Sequence, residues 1–157
     1  MKKVILSSIF IFTFLYTHVV ANDKIINIDT LNTSDKQIMI FFHMNNCSYC
    51  NRMDTKTLQE RNIKVSIEKS FLLVDINIDN GDKITFNNTV YRHKVFANNL
   101  DVKFFPTVLF LDKENEITYK VRGYRTIEKF QHILNYMEAK EFEQMSFFEY
   151  LETLEKE

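Results

Sequence analysis

The chain has 157 residues, 45 % of them hydrophobic, and a formal net charge of −1. That length and apolar share fit one globular domain with a sizeable core, to which fifteen phenylalanines and seven tyrosines contribute in the absence of tryptophan. Two glycines and one proline exclude collagen-like and low-complexity sequence, no internal repeat is present, and the charge balance is no basic footprint for nucleic acid.

The first 21 residues, MKKVILSSIFIFTFLYTHVVA, read as a secretory leader. Lys2 and Lys3 form its basic head, an apolar run extends from Val4 to about Tyr16, and Val19 and Ala21 stand at −3 and −1 of a cleavage site before Asn22. The alternative is an uncleaved N-terminal anchor, although the run is short for a membrane span. Either way the domain, residues 22–157, is expected outside the cytoplasm, in a bacterial periplasm. Loss of Lys2 and Lys3 takes the formal charge from −1 to −3. The basic clusters Arg92–His93–Lys94 and Lys120–Arg122–Arg125 read as solvated faces.

Residues 22–36 are a polar lead-in. Gln37–His43 (QIMIFFH) is a near-continuous apolar run, expected as a strand buried on both faces. Asn45 and Asn46 break it, and Tyr49, Met53 and Leu58 recur at helical spacing to about Glu60. Phe71–Ile78 is the second strand, ended by the turn Asp79–Asn80–Gly81–Asp82. A short extended piece, Lys83–Phe86, precedes a helix over Tyr91–Leu100 with Val95 and Phe96 inward. Thr107–Leu111 and Glu116–Val121 form an antiparallel hairpin, and Gly123 marks a bulge or tight bend. Thr126 caps a helix to Ala139 whose apolar face carries Ile127, Phe130, Ile133, Leu134 and Met137. Ser146 and Glu149 match a capping box that opens a last helix, with Phe147, Phe148, Leu151 and Leu154 on its apolar side. The expected fold is α/β: a small mixed sheet of four to five strands flanked by helices, with residues 141–157 as a helical extension.

Cys47 and Cys50 are the only cysteines, and they stand two residues apart. As a staple the pair does little: closing a ring of about four residues is worth roughly 2 kcal/mol, against about 3 for a 15-residue loop. As a metal clip it supplies two thiolates, with His43 as a further donor and His93 beyond it. A structural zinc wants four ligands, whereas copper(I) accepts two sulfurs. As a redox centre its location is apt, because Cys47 follows a buried strand at the start of a helix, where free N–H groups favour a negative sulfur. A thiol pKa lowered from about 8.5 to about 6.5 raises the thiolate fraction at pH 7 from roughly 3 % to roughly 75 %. Intrinsic nucleophilicity falls about eightfold, so the larger gain is a good leaving group.

These residues, in this order, resemble the thioredoxin superfamily. The resemblance rests on an apolar strand ending in C-S-Y-C, on Phe105–Pro106–Thr107 opening a strand, and on a β-β-α ending with Gly123. It covers most of residues 35–140. Pro106, the sole proline, lies 56 residues after Cys50, directly before a strand. The segments F-H-x-x-N-C-x-Y-C, P-T-x-x-F-L-D, R-G-Y and F-x-E-Y-L look most like secreted single-domain thioredoxins associated with bacterial sulfur oxidation and disulfide reduction.

The resemblance implies an exported thiol–disulfide oxidoreductase. Cys47 is its exposed nucleophile and Cys50 its resolving thiol. A cis Phe105–Pro106 bond faces the cysteines and offers the Phe105 backbone to an extended substrate; Phe105, Pro106 and Tyr49 are the expected substrate-binding residues, and the dipeptide Ser48–Tyr49 tunes the potential. No diffusible cofactor and no metal are expected. The expected partners are a protein or small-molecule disulfide and a membrane-bound electron donor, with the protein a monomer and a reductant rather than an isomerase. Two departures stand out. Phe41 occupies the place of a buried aspartate, and Asp75 falls near that of its lysine partner. Asp75 therefore reads either as a relocated acceptor for the Cys50 proton or as a solvent-facing strand residue. His43, where many thioredoxins have tryptophan, reads either as an electrostatic aid to the thiolate or as a satisfied strand-end histidine. Two rival functions use the same features: a copper(I) carrier built on Cys47, Cys50 and His43, and a non-catalytic binding module docking through the C-terminal helix.

Overall fold

In the computed structural model the described residues are 25–31, 33 and 35–156. The expected leader therefore lies outside them. Among the described residues no helix is long and apolar enough to cross a membrane.

The elements follow in chain order. β1 is Ile25–Asn27, α1 Ile28–Leu31, β2 Gln37–His43, α2 Ser48–Arg52, α3 Arg61–Ser70 and β3 Phe71–Asn77. Then come β4 Lys83–Phe86, β5 Thr89–Arg92, α4 His93–Asn99, β6 Thr107–Leu111, β7 Ile117–Arg122, α5 Ile127–Glu138 and α6 Phe147–Leu154. Four strands form the main sheet in the order β3-β2-β6-β7. β2 runs parallel to β3, the β6 pairings are antiparallel, and the register sets Phe42 against Thr107.

β2 lies inside this sheet, so alternate residues bury on opposite faces. Met39 and Phe41 join Met53, Ile63, Ile67, Phe110, Phe130 and Leu134 under α3 and α5. Ile38, Ile40 and Phe42 join Ile28, Ile76, Ile84, Phe96 and Leu109 on the other side. That second face is covered by α1, α4 and a three-stranded sheet, β1-β4-β5. Asn87 and Asn88, both at positive φ, make the β4–β5 turn, and the Asp29 carboxylate accepts both of their N–H groups at 2.8 Å.

Several expectations change. The lead-in holds β1 and α1, and β5 stands where no strand was read. The helix after the cysteines is two pieces: α2 runs into a π-helical turn, Met53–Thr57, and α3 follows. Only Ile63 and Ile67 of α3 are buried, so its apolar signal is thin. Val95 faces solvent, as does Ile127 on α5, while Tyr136 is buried in their stead. His93 is not on a solvated face: it is 2 % exposed and its Nδ1–H donates to the Asn77 carbonyl. Lys120 is likewise engaged, donating to the Leu100 carbonyl at 2.8 Å. Gly123 makes the expected bend, at φ +80°, whereas the β6–β7 register irregularity falls between Phe110 and Leu111.

The capping box of α6 is present. Its packing face is Phe147 and Tyr150, whose rings lie 5.2 and 5.3 Å from that of Tyr136, and Phe148 is 70 % exposed. Tyr136 Oη also donates to the Met145 carbonyl at 2.7 Å. This aromatic contact, and not the Phe148–Leu154 side, seats the extension on α5.

Phe130 is fully buried between α5 and the sheet. Phe130→Ala is expected to cost about 3–5 kcal/mol of unfolding free energy, read as a lower urea midpoint at unchanged slope.

Candidate functional site

β2 delivers the chain to the site. It ends at His43, and Asn46 takes the left-handed conformation (φ 55°) that turns the backbone toward α2. The loop is held from β3, where Asn77 Nδ2 donates to Asn45 Oδ1 and Asp79 accepts the Asn45 N–H, both at 2.9 Å. Cys47 is the N-cap of α2, and its sulfur accepts the Cys50 backbone N–H at 3.1 Å. A sulfur in that place takes the part of a capping oxygen, and negative charge on it is favoured.

Cys47 and Cys50 form a disulfide with Cα atoms 5.2 Å apart. Cys47 is half-buried, and Cys50 behind it is 3 % exposed. Opposite, the Phe105–Pro106 bond is cis, and the Cys47 sulfur lies 3.9 Å from the Phe105 carbonyl oxygen. The proline loop is pinned on both sides. Thr107 Oγ1 donates to the Phe104 carbonyl and the Gly123 N–H donates to the Pro106 carbonyl, both at 2.7 Å. Gly123 thus serves the loop across from it as well as the turn.

Residues 27–138 match the model of the thioredoxin-like domain. The chain belongs to that family. None of the curated proteins matches it. Among solved structures it is similar to a thioredoxin-fold protein from Helicobacter pylori, at 22 % identity over 78 % of this chain and 81 % of that one, with a TM-score of 0.61. It is also similar to a thioredoxin from Thermus thermophilus, at 21 % identity over 70 % and 79 % of the two chains, with a TM-score of 0.56. The oxidised DsbD C-terminal domain of Neisseria meningitidis follows at 19 % identity, 71 % and 87 % coverage and a TM-score of 0.52. At these identities the likeness is one of fold.

The remaining residues of this thioredoxin-like protein form two groups. Tyr49 is 61 % exposed beside the disulfide, its ring centroid 6.4 Å from that of Tyr124. The Arg52 guanidinium sits 4.6 Å over the Tyr124 ring, a cation–π contact that ties α2 to the segment after β7. Thr57 reinforces that tie by donating to the Arg125 carbonyl at 2.8 Å. Phe104, two residues before Pro106, is 63 % exposed, and Met44 lines the groove that holds both sulfurs. Arg52, Phe104 and Met44 are not legible in the sequence, because single exposed side chains carry no periodic signal.

The second group is polar. A groove of about 580 Å³ is lined by His43, Asn45, Cys47, Cys50, Asp54 and Asn77, among others. His43 Nε2–H donates to Asp75 Oδ1 at 2.6 Å, and its ring stacks on Phe41 at 5.2 Å. Asp75 is thus neither unengaged in solvent nor shown bonded to a cysteine: it is 63 % exposed and partners His43. Phe41 is buried as an apolar floor. Among the described residues no three or more His, Cys, Asp or Glu side chains form a metal-ligand set.

The hydrogen bond to Asp75 raises the His43 pKa above 6.5; burial opposes it, and the charges of Asp75, Asp54 and Asp79 add to it. A raised histidine pKa contributes stability that is fully present below about pH 6.5 and is lost as pH rises through the folded-state value. Asp75→Asn is expected to bring the His43 titration, followed by NMR, back toward 6.5 and to flatten this part of the stability–pH curve.

Proposed function

We propose that the protein is an exported thiol–disulfide oxidoreductase of the periplasm that works as a reductant. The observation that carries this reading is the asymmetry of the pair. Cys47 is half-buried, caps a helix and lies 3.9 Å from the Phe105 carbonyl, while Cys50 is 3 % exposed behind it. In the dithiol form the Cys47 thiolate attacks a substrate disulfide. Cys50 then attacks Cys47 in the mixed disulfide and releases the substrate thiol. Electrons pass through the cysteines, so the exchange needs no diffusible cofactor.

The surroundings favour an extended polypeptide as substrate. The Phe105–Pro106 backbone supplies an edge for strand-like pairing, and Tyr49, Phe104 and Met44 supply apolar contacts beside it. A small-molecule disulfide would use the sulfurs alone. Support for export is the leader pattern of residues 1–21, and an exported reductant acting as a monomer draws its electrons from a membrane-bound donor. The R-G-Y and F-x-E-Y-L segments favour the sulfur-oxidation-associated branch of secreted thioredoxins.

Cys47→Ser is expected to abolish reduction of a model protein disulfide such as insulin, and Cys50→Ser to accumulate a substrate adduct through Cys47. Full turnover by Cys47→Ser would overturn the assignment. The Cys47–Cys50 couple is expected near about −270 mV, and a value near about −120 mV would reverse the direction of flow.

A further inference from the structure

The resolving step poses a problem that the exchange chemistry leaves open. The attacking sulfur, Cys50, is 3 % exposed, and burial disfavours a thiolate. A proton acceptor is required within the groove that both sulfurs share. Besides the cysteines, the titratable side chains lining it are His43 and Asp54. Imidazole is the one suited to taking a proton near neutral pH and returning it.

We propose that His43 accepts the Cys50 thiol proton through a water in this groove, and that Asp75 is the positioning residue that orients His43 and stabilises its imidazolium. The proposal rests on the exchange reading above. Three observations carry it. His43 lines the groove with both sulfurs. Its Nε2–H is committed to Asp75 at 2.6 Å, which places the lone pair of the neutral ring on Nδ1. Its plane is set by stacking on Phe41, with rings 17° from parallel. A groove of about 580 Å³ has room for the water. The order carboxylate, imidazole, sulfur nucleophile is that of a general-base triad.

The charged neighbours of His43 act in one direction. Asp75 on β3, Asp54 on the π-helical turn and Asp79 after β3 all favour the imidazolium. Asp82 and His93 line a smaller groove that also contains His43 and Asp75, with His93 Nδ1–H held by the Asn77 carbonyl.

The step balances. The Cys47 thiolate attacks the substrate disulfide R–S–S–R′, forming Cys47–S–S–R and releasing R′–S⁻, which takes a proton from solvent. The Cys50 S–H proton passes to His43 Nδ1. The Cys50 thiolate then bonds to the Cys47 sulfur as the bond from Cys47 to S–R breaks, and R–S⁻ leaves with the proton that His43 returns. The cysteine pair is oxidised by two electrons and the substrate is reduced to two thiols.

The test uses the reduced protein and dithiobis(nitrobenzoate), which releases one thionitrobenzoate on Cys47 attack and a second on Cys50 resolution. Both phases are followed by stopped flow from pH 5 to 9. His43→Gln is expected to slow the second phase about 100-fold at pH 7 and to move its pH dependence upward. Asp75→Asn should slow it less and move its midpoint downward, because the retained histidine loses the partner that raises its pKa. An unchanged second-phase profile in His43→Gln would overturn the relay. So would a change confined to the first phase, which would make His43 an electrostatic aid to Cys47. The reagent needs no natural substrate, so intact two-phase release without protein-disulfide reduction would count against the functional reading and not against the relay.

Discussion

The site depends on one pairing, that of β2 with β6. Antiparallel register sets Phe42 against Thr107, so the end of the strand that leads to Cys47 lies beside the start of the strand that follows Pro106. Residues 58 apart thereby meet, with the Cys47 sulfur 3.9 Å from the Phe105 carbonyl oxygen. A slip of one residue would turn Met39 and Phe41 to the opposite core and carry His43 away from the groove. Both faces of β2 are buried, so that slip would disrupt two cores at once. Register, packing and chemistry are secured by the same apolar contacts.

The same alternation decides where polar chemistry can sit. Phe41 and His43 share one face of β2, and their rings stack. Phe41 is sealed in the core and His43, at the strand end, keeps a quarter of its surface in solvent. An ionised acid in the place of Phe41 would be desolvated, whereas the carboxylate of Asp75 stays 63 % exposed and still reaches the imidazole. The titratable pair stands beside the disulfide rather than beneath it, and solvent lowers the cost of its charge.

The additions to the sheet serve burial first. β1, β4, β5 and α4 close the face carrying Ile38, Ile40 and Phe42. On the other face Tyr136 gathers Tyr119, Phe142, Phe147 and Tyr150 within 6.5 Å, so an aromatic cluster seats the C-terminal helix. Neither addition contributes a side chain to the groove that holds the sulfurs.

Strong local signals determined much of this protein. Gln37–His43 and Thr107–Leu111 are strands to the residue, because runs of apolar side chains admit no exposed alternative. The Cys47–Cys50 pair was legible from spacing and residue type, the place of Pro106 opposite it only from the family resemblance, and the Ser146–Glu149 cap from a pattern confined to one turn. Elements with few buried residues were not: α3 buries two, and β5 none. Which residue of a helix faces the core, Tyr136 rather than Ile127, followed from the neighbours packed against it. The bond between His43 and Asp75 joins side chains 32 residues apart on parallel strands, and a periodicity confined to either strand carries no information about the other. Composition and local pattern chose the fold and the sulfurs; only the folded sheet, by bringing distant strands into register, chose their polar company.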